Sequence, residues 1–344
     1  MAENKSFKDH VWMLEGLTTQ PSVMLDMILG ASCSVISSLG FVGNCLALGY
    51  FRGKSDLASQ LYKHICIIDI VYCFSQVPVI QAFLCGRIPG MFNSKIFCVI
   101  WKVVNEVCGS LYPIAILLLS SSRTIAIVYP FYRIKKWVVL TVFYVYLFYL
   151  GLRQGMTFLP GFEIGYGSDV GYCYFYYAAE SLGKLSDMQN LVNSVFYALM
   201  SVEIGVPAVL TFISFLVSLI KLLSESTISS TQAQQRRAAL TITIFTGVFL
   251  FCYIPIAALT AITVLVSALY ENETGFYEGP YSNFFVFWYA WPITSCLLGC
   301  LNALLDVVIY TTRMKDFRDW LAGTLRVAKE SFVTTFCNAP EEVS

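Results

Sequence analysis

Residues 238–270 read AALTITIFTGVFLFCYIPIAALTAITVLVSALY, a stretch of 33 residues without one charged side chain. A hydrocarbon core about 30 Å thick is crossed by roughly 20 apolar residues in an α-helix. Helices in soluble cores rarely run this long without a charge, because one face usually meets water. The stretch therefore predicts a helix that spans a membrane.

Six further stretches have the same character, with at most two charged residues in each: 27–51, 65–86, 98–122, 137–152, 188–220 and 279–312. Open sheet edges do not occur in lipid, because their peptide groups find no hydrogen-bond partners there. The sequence thus predicts an all-α membrane protein, a bundle of seven transmembrane helices over residues 27–312. Residues 1–26 are predicted as an N-terminal tail, and residues 313–344 as a short amphipathic helix with a cytoplasmic tail.

The composition excludes several classes of protein. Apolar residues make up 57% of the chain and charged residues 13%, whereas a soluble domain carries roughly 25% charged residues. The two histidines, His10 and His64, fall in segments expected to be aqueous, which removes most histidine-based catalysis and metal chemistry. We expect membrane lipid around the chain, no nucleic-acid partner and no enzymatic activity.

The distribution of basic residues predicts the orientation of the bundle. With the N-terminus outside, 15 of the 22 Lys and Arg residues fall on the cytoplasmic side, as the positive-inside rule requires. Two glycosylation sequons, at Asn4 and Asn272, then fall on the extracellular side. The sequence predicts a multi-pass protein of the plasma membrane with an extracellular N-terminus and a cytoplasmic C-terminus.

The third stretch ends in a recognisable motif, SRTIAIVYPF over residues 122–131. It resembles the Asp-Arg-Tyr signature of rhodopsin-like (class A) G-protein-coupled receptors, with Arg123 and Pro130 at the family spacing. Ser122 and Thr124 replace the acid and the tyrosine of the family. Cys98 lies 25 residues before Arg123, where the family has its outer cysteine.

Five other spans carry further landmarks of that family. Residues 249–255 read FLFCYIP and resemble Phe-x-x-Cys-Trp-x-Pro, with Tyr253 in place of the tryptophan. Residues 306–310 read DVVIY and resemble Asn-Pro-x-x-Tyr in its aspartate variant, without the proline. The intramembrane polar residues and the proline of the fifth span also match the family: Asn44, Asp69, Asn302 and Pro207.

This resemblance implies a receptor that activates heterotrimeric G proteins through the cytoplasmic ends of helices 3, 5 and 6. Arg123 and Tyr310 are its implied coupling residues, and Cys98 and Cys173 its implied disulfide. In place of the family's acids beside Arg123 stand Ser122 and Gln235, so we expect raised signalling without ligand.

The resemblance also implies a site in the middle of the bundle, formed by Asn44, Asp69, Asn302 and Asp306. Two neighbouring carboxylates do not both ionise without a cation. They are expected to bind a sodium ion, with Asp69 as a ligand, or to share a proton. No other cofactor is expected; bound retinal in particular is not, because residues 279–312 contain no lysine.

The extracellular ligand is expected to be a small molecule or a peptide. Its candidate contacts are Asn105, Glu106, Glu203 and Tyr253. Two alternatives stay open for the carboxylates: they bind a cationic group of the ligand, or one of them pairs with Lys102 or Arg153. For the whole chain, the alternatives to a receptor are a seven-span transporter or channel, and a seven-span membrane enzyme.

Overall fold

The computed structural model of the chain describes residues 23–85, 95–129, 131–132, 134–156, 162–166, 173–177, 186–224, 239–258 and 282–337. Nine helices lie in these ranges: α1 Val23–Phe51, α2 Leu57–Ser75, α3 Val77–Cys85, α4 Lys95–Val128, α5 Lys136–Met156, α6 Ser186–Ser224, α7 Ala239–Ala258, α8 Ser282–Arg313 and α9 Lys315–Cys337. They include seven segments that are long and apolar enough to cross a membrane. The predicted seven-helix architecture is confirmed.

The second span differs from its prediction, which placed it at residues 65–86. It starts at Leu57 and consists of α2 and α3, separated by Gln76. The prediction missed this start because the first turns of α2 are polar. Asp56 caps the helix there by accepting a hydrogen bond from the Ser59 backbone N–H at 3.0 Å. Pro78, which has no N–H to donate, follows the interruption.

A two-stranded antiparallel hairpin joins α5 to α6 and was not part of the all-helical prediction. Its strands are β1 Phe162–Tyr166 and β2 Cys173–Tyr177, and Tyr166 pairs with Cys173. The hairpin lies outside the segments that are long and apolar enough to cross a membrane. Strand pairing there is compatible with the rule that only helices and closed barrels cross lipid.

Small residues set the closest helix contacts in the bundle. α1 packs along α8, and a Cβ added at Gly43 would lie 2.6 Å from a methyl carbon of Val307. α4 runs through the centre and packs against α2, α5 and α6. Large apolar side chains on the outside of the bundle remain exposed, as lipid contact requires; they include Phe74, Phe148, Val209, Ile220 and Phe251.

The predicted amphipathic helix after the last span is present as α9. Phe317 is buried and packs edge-on against Tyr50 of α1, with ring centroids 5.2 Å apart, and against Tyr310 of α8. We refer below to the two ends of the bundle as the Arg123 end, which contains α9, and the Arg153 end.

Candidate functional site

The middle of the bundle contains a buried cluster that we call the polar centre, formed by Asn44, Asp69, Tyr112, Asn302 and Asp306. The carboxyl groups of Asp69 and Asp306 lie within hydrogen-bonding reach of each other. Asn44 Nδ2 donates to the carbonyl oxygen of Ala303 at 2.9 Å, which places α1 against α8 at this depth. The structure therefore brings together the four residues predicted for a sodium ion or a shared proton.

The oxygen atoms of the polar centre fit a small hard cation. Asn44 Oδ1, Asp69 Oδ2, Asn302 Oδ1 and Asp306 Oδ1 are all buried without a hydrogen-bond partner. Carboxylate and carbonyl oxygens are the ligands that hard cations prefer. In the part of the chain that the structure describes, no group of three or more His, Cys, Asp or Glu residues suits a metal ion. The candidate site thus rests on two carboxylates and two amides.

Tyr112 connects the polar centre to α7. Its hydroxyl donates to Asp306 Oδ2 at 2.5 Å. Its ring stacks on Tyr253 with centroids 5.5 Å apart and an interplanar angle of 10°, and on Phe249 at 5.8 Å. A displacement of Tyr253 would therefore reach the Asp306 carboxylate through one rigid ring.

Arg123 lines a small cavity between α4, α6 and α7. The other side chains around it comprise five that carry hydroxyl groups and four that are apolar: Ser120, Ser214, Ser218, Thr243 and Thr246, and Ile127, Phe215, Ala239 and Ile242. The cavity has room for about one water molecule. Arg123 is thus half-buried beside a narrow cavity between three helices.

Ser122, which precedes Arg123, and Tyr310, the second predicted coupling residue, each have defined contacts. Ser122 Oγ donates to the carbonyl oxygen of Leu119 in its own helix at 2.8 Å. Tyr310 is fully buried, and its ring packs against Phe51, Tyr62 and Phe245. Both predicted coupling residues thus lie at the same end of the bundle, Arg123 beside the cavity and Tyr310 in an aromatic cluster.

The predicted ligand carboxylates lie in a second buried cluster, the charge network of Lys102, Glu106, Arg153 and Glu203. Arg153 Nε lies 3.2 Å from Glu203 Oε1, and Arg153 Nη2 lies 3.7 Å from Glu106 Oε2. Lys102 Nζ contacts Glu106 Oε1 at 3.0 Å. Of the two alternatives for these carboxylates, the structure shows the internal ion pairs, and a ligand role for them remains a prediction.

The other two predicted ligand residues have different partners. Asn105 Oδ1 accepts hydrogen bonds from the side chains of Ser75 and Gln76, which tie α4 to the interruption between α2 and α3. Tyr253 is buried against Tyr112. The structure thus joins Glu106 and Glu203 through Arg153, and places Asn105 and Tyr253 in separate contacts.

Several predicted sites lie outside the described residues. Asn4 and Asn272 belong to such segments. Cys98 lies in the first turn of α4 and Cys173 begins β2, but the description does not extend to either side chain. The disulfide and both glycosylation sites therefore remain predictions.

The sequence reasoning missed a hydroxyl cluster at the Arg123 end. Thr124 Oγ1 contacts Ser218 Oγ at 2.8 Å and donates to the carbonyl oxygen of Ser214 at 3.1 Å. Ser121 Oγ lies 3.4 Å from Ser214 Oγ. The spacing of four residues between Ser214 and Ser218, which puts both on one helix face, was the available signal.

A comparison with solved structures identifies the architecture. The crystal structure of squid rhodopsin matches with a TM-score of 0.62, covering 94% of this chain and 90% of that chain at 12% sequence identity. The chain has the rhodopsin fold. No family model matches the sequence, and no curated protein matches it. The rhodopsin fold was thus predictable from spans and scattered motifs, although overall identity to this rhodopsin is low.

Proposed function

We propose that the chain is a G-protein-coupled receptor of the plasma membrane that binds an extracellular ligand and activates heterotrimeric G proteins. The observation that carries this proposal is the position of Arg123, which lines a cavity between α4, α6 and α7 at one end of a rhodopsin fold. In this proposal that end faces the cytoplasm. Opening of the cavity exposes the guanidinium group and neighbouring hydroxyls to the G protein.

The path of the signal runs through the polar centre. An extracellular ligand biases two packings of the bundle through its differential affinity for them. Tyr253 transmits a shift of α7 to Tyr112, and the Tyr112 hydroxyl transmits it to Asp306 in α8. A sodium ion or a shared proton between Asp69 and Asp306 favours one of the packings. The Asn44, Asp69, Asn302 and Asp306 oxygens would hold the ion.

Nucleotide exchange on heterotrimeric G proteins tests the proposal. Membranes with the wild-type chain should accelerate exchange above membranes without it, and Arg123→Ala should abolish the acceleration at equal surface expression. The matched control is Arg318→Ala, which removes an exposed arginine at the same end. Exchange that is equally fast with wild type and Arg123→Ala would favour the alternative class, a seven-span transporter or channel.

A further inference from the structure

Arg153 is a buried charge whose position needs a physical reason. Its side chain is 1% exposed, and its guanidinium group lies between Glu203 of α6 and Glu106 of α4. A buried charge destabilises a helix bundle unless opposite charges and hydrogen bonds compensate it. With Lys102 on Glu106, the charge network contains two basic and two acidic residues and is neutral overall.

Glu203 lies where α6 lacks one backbone hydrogen bond. It lies four residues before Pro207, which is inside the helix. Proline lacks the N–H that would bond to the Glu203 carbonyl oxygen, and its ring crowds that carbonyl. Sharp helix kinks are almost always found at such positions. The residue held by Arg153 is therefore the one at which α6 bends most easily.

Three groups from two neighbouring helices hold the Glu203 carboxylate. Arg153 Nε of α5 lies 3.2 Å from Oε1, and the Tyr149 hydroxyl of α5 donates to the same oxygen at 2.8 Å. The Ser110 hydroxyl of α4 donates to Oε2 at 3.3 Å. The hinge of α6 is thus anchored on both α4 and α5.

Beyond the hinge, α6 reaches the cavity beside Arg123. Ser214 and Ser218 line that cavity and contact Thr124 of α4. The portion of α6 after Pro207 therefore connects the anchored hinge to the Arg123 end. Any rotation of this portion about Pro207 changes the Ser214 and Ser218 contacts.

We propose that Arg153 is a positioning residue that pins the proline hinge of α6 through Glu203, and that its release opens the Arg123 end. The direction follows from the structure, in which the ion pair is formed and α6 contacts Thr124 of α4 through Ser214 and Ser218. Removal of contacts specific to one packing shifts the population towards the other. The inference rests on the proposed function only for its signalling consequence, because the hinge movement itself needs no G protein.

The key variant replaces both partners of the ion pair, Arg153→Met with Glu203→Leu. Removal of a single partner leaves a buried charge uncompensated and destabilises the fold, whereas apolar replacement of both is often neutral or stabilising. Glu106 keeps Lys102 and accepts from Gln154 Nε2 at 2.8 Å. A second variant, Glu203→Gln, removes the charge but retains a side chain that accepts hydrogen bonds.

The matched control is Lys102→Gln. It removes a partly exposed member of the same network, whose side chain is 24% exposed, without touching α5 or α6. Glu106 keeps its other partners, because Arg153 Nη2 lies 3.7 Å from Glu106 Oε2 and Gln154 Nε2 donates to the same oxygen. The control should therefore leave both the hinge and the fold as in the wild type.

Amide hydrogen exchange of the purified full chain in nanodiscs measures the hinge directly. We expect residues 208–224 and 239–250 to exchange about fivefold faster in the double variant, a typical lower bound for coupling between sites. The α1 and α2 amides should exchange at the wild-type rate, and Glu203→Gln should show the same pattern. Wild-type rates at residues 208–224 in both variants, or acceleration spread evenly over the bundle, would overturn the inference.

Nucleotide exchange on G proteins in the same nanodiscs separates the two proposals. If the hinge inference and the proposed function both hold, the double variant accelerates exchange about fivefold over the ligand-free wild type. If neither chain accelerates exchange over empty nanodiscs while the amides behave as expected, the proposed function fails and the hinge inference stands.

Discussion

The Tyr112 hydroxyl donates a hydrogen bond to Asp306 Oδ2 at 2.5 Å, across 194 residues of chain. Both side chains are almost fully buried, and the Tyr112 ring lies nearly parallel to that of Tyr253. This pair joins the centre of α4 to α8 and, through the stacked rings, to α7. It links the aromatic cluster of α7 to the carboxylates of the polar centre.

Tyr112→Phe tests this connection. The ring stack remains, but Asp306 loses a donor inside the bundle, and an unsatisfied buried group costs about 1–3 kcal/mol. We expect a lower Tm for the purified chain. In an Asp306→Leu background, the same substitution should have a much smaller effect, because residue 306 then has no oxygen that accepts from the hydroxyl. Equal losses in both backgrounds would show that the hydroxyl does not act through Asp306.

Occupation of the polar centre by a cation or a proton is a second prediction. We expect the Tm of the wild-type chain to rise when sodium replaces a bulky organic cation, or to respond to pH because a proton is shared. Asp69→Asn should weaken the sodium response, since one carboxylate then remains to attract the ion, and Asp69→Asn with Asp306→Asn should remove both responses, since no carboxylate remains. A wild-type Tm that changes with neither sodium nor pH would show that neither a cation nor a shared proton occupies the polar centre.

The span pattern was readable from the sequence because the thickness of lipid fixes the length of an apolar helix. Four of the five residues of the polar centre were also predicted, because Asn44, Asp69, Asn302 and Asp306 match polar positions of the family and stand out in apolar helices. The partners of single side chains were not. That Arg153 binds both Glu106 and Glu203 depends on how three helices rotate against one another, and sequence spacing does not contain that rotation.

The hairpin of β1 and β2 was not predicted, for a related reason. Hydropathy identifies segments that cross lipid, but it does not report backbone pairing in the segments between them. The interruption at Gln76 had a local signal in Pro78, because proline has no N–H to donate to the carbonyl oxygen of Phe74, four residues before it. The contact between Tyr112 and Asp306 was likewise not indicated by the sequence.

Close contact between α1 and α8 gives a third prediction. A methyl group at Gly43 would meet Val307 at 2.6 Å, so that side chain must move. We expect Gly43→Ala to lower stability by about 1–3 kcal/mol, as overpacking does. The control is Gly151→Ala, where an added Cβ meets nothing within 4 Å. It should gain about 0.5–1 kcal/mol from helix propensity. Equal changes in thermal stability would refute the contact.

The cap of α2 gives a fourth prediction. Partial burial raises the pKa of Asp56, but hydrogen bonds from Ser59 outweigh it and hold the pKa below its ordinary value. Because the folded pKa is depressed, the stabilisation is present above the unfolded pKa of about 3.9 and is lost as the pH falls through the folded value. Asp56→Ala should cost about 1 kcal/mol at neutral pH.

Asp56→Asn separates the cap from its charge. The amide oxygen still accepts a hydrogen bond from the Ser59 N–H, so stability at neutral pH should stay near that of the wild type. The acid-dependent loss attributable to this residue should disappear. If Asn and Ala variants lose the same stability at neutral pH, the side chain of Asp56 does not cap α2.

In the proposed function, the Arg123 end couples to a G protein, and the described side chains that line the cavity with Arg123 are neutral. Ser122 Oγ bonds within its own helix, to the carbonyl oxygen of Leu119. An aspartate at that position would place a charge beside Arg123, and charge-assisted hydrogen bonds are roughly twice as strong as neutral ones. Ser122→Asp should therefore lower ligand-free signalling.

The most direct measurement is the rate of GTPγS binding by purified G-protein heterotrimers with the ligand-free chain in nanodiscs. The account predicts that the wild type exceeds empty nanodiscs for at least one heterotrimer, that Ser122→Asp lowers this rate, and that Arg123→Ala removes it. Wild-type rates equal to those of empty nanodiscs with every heterotrimer subtype would contradict the account.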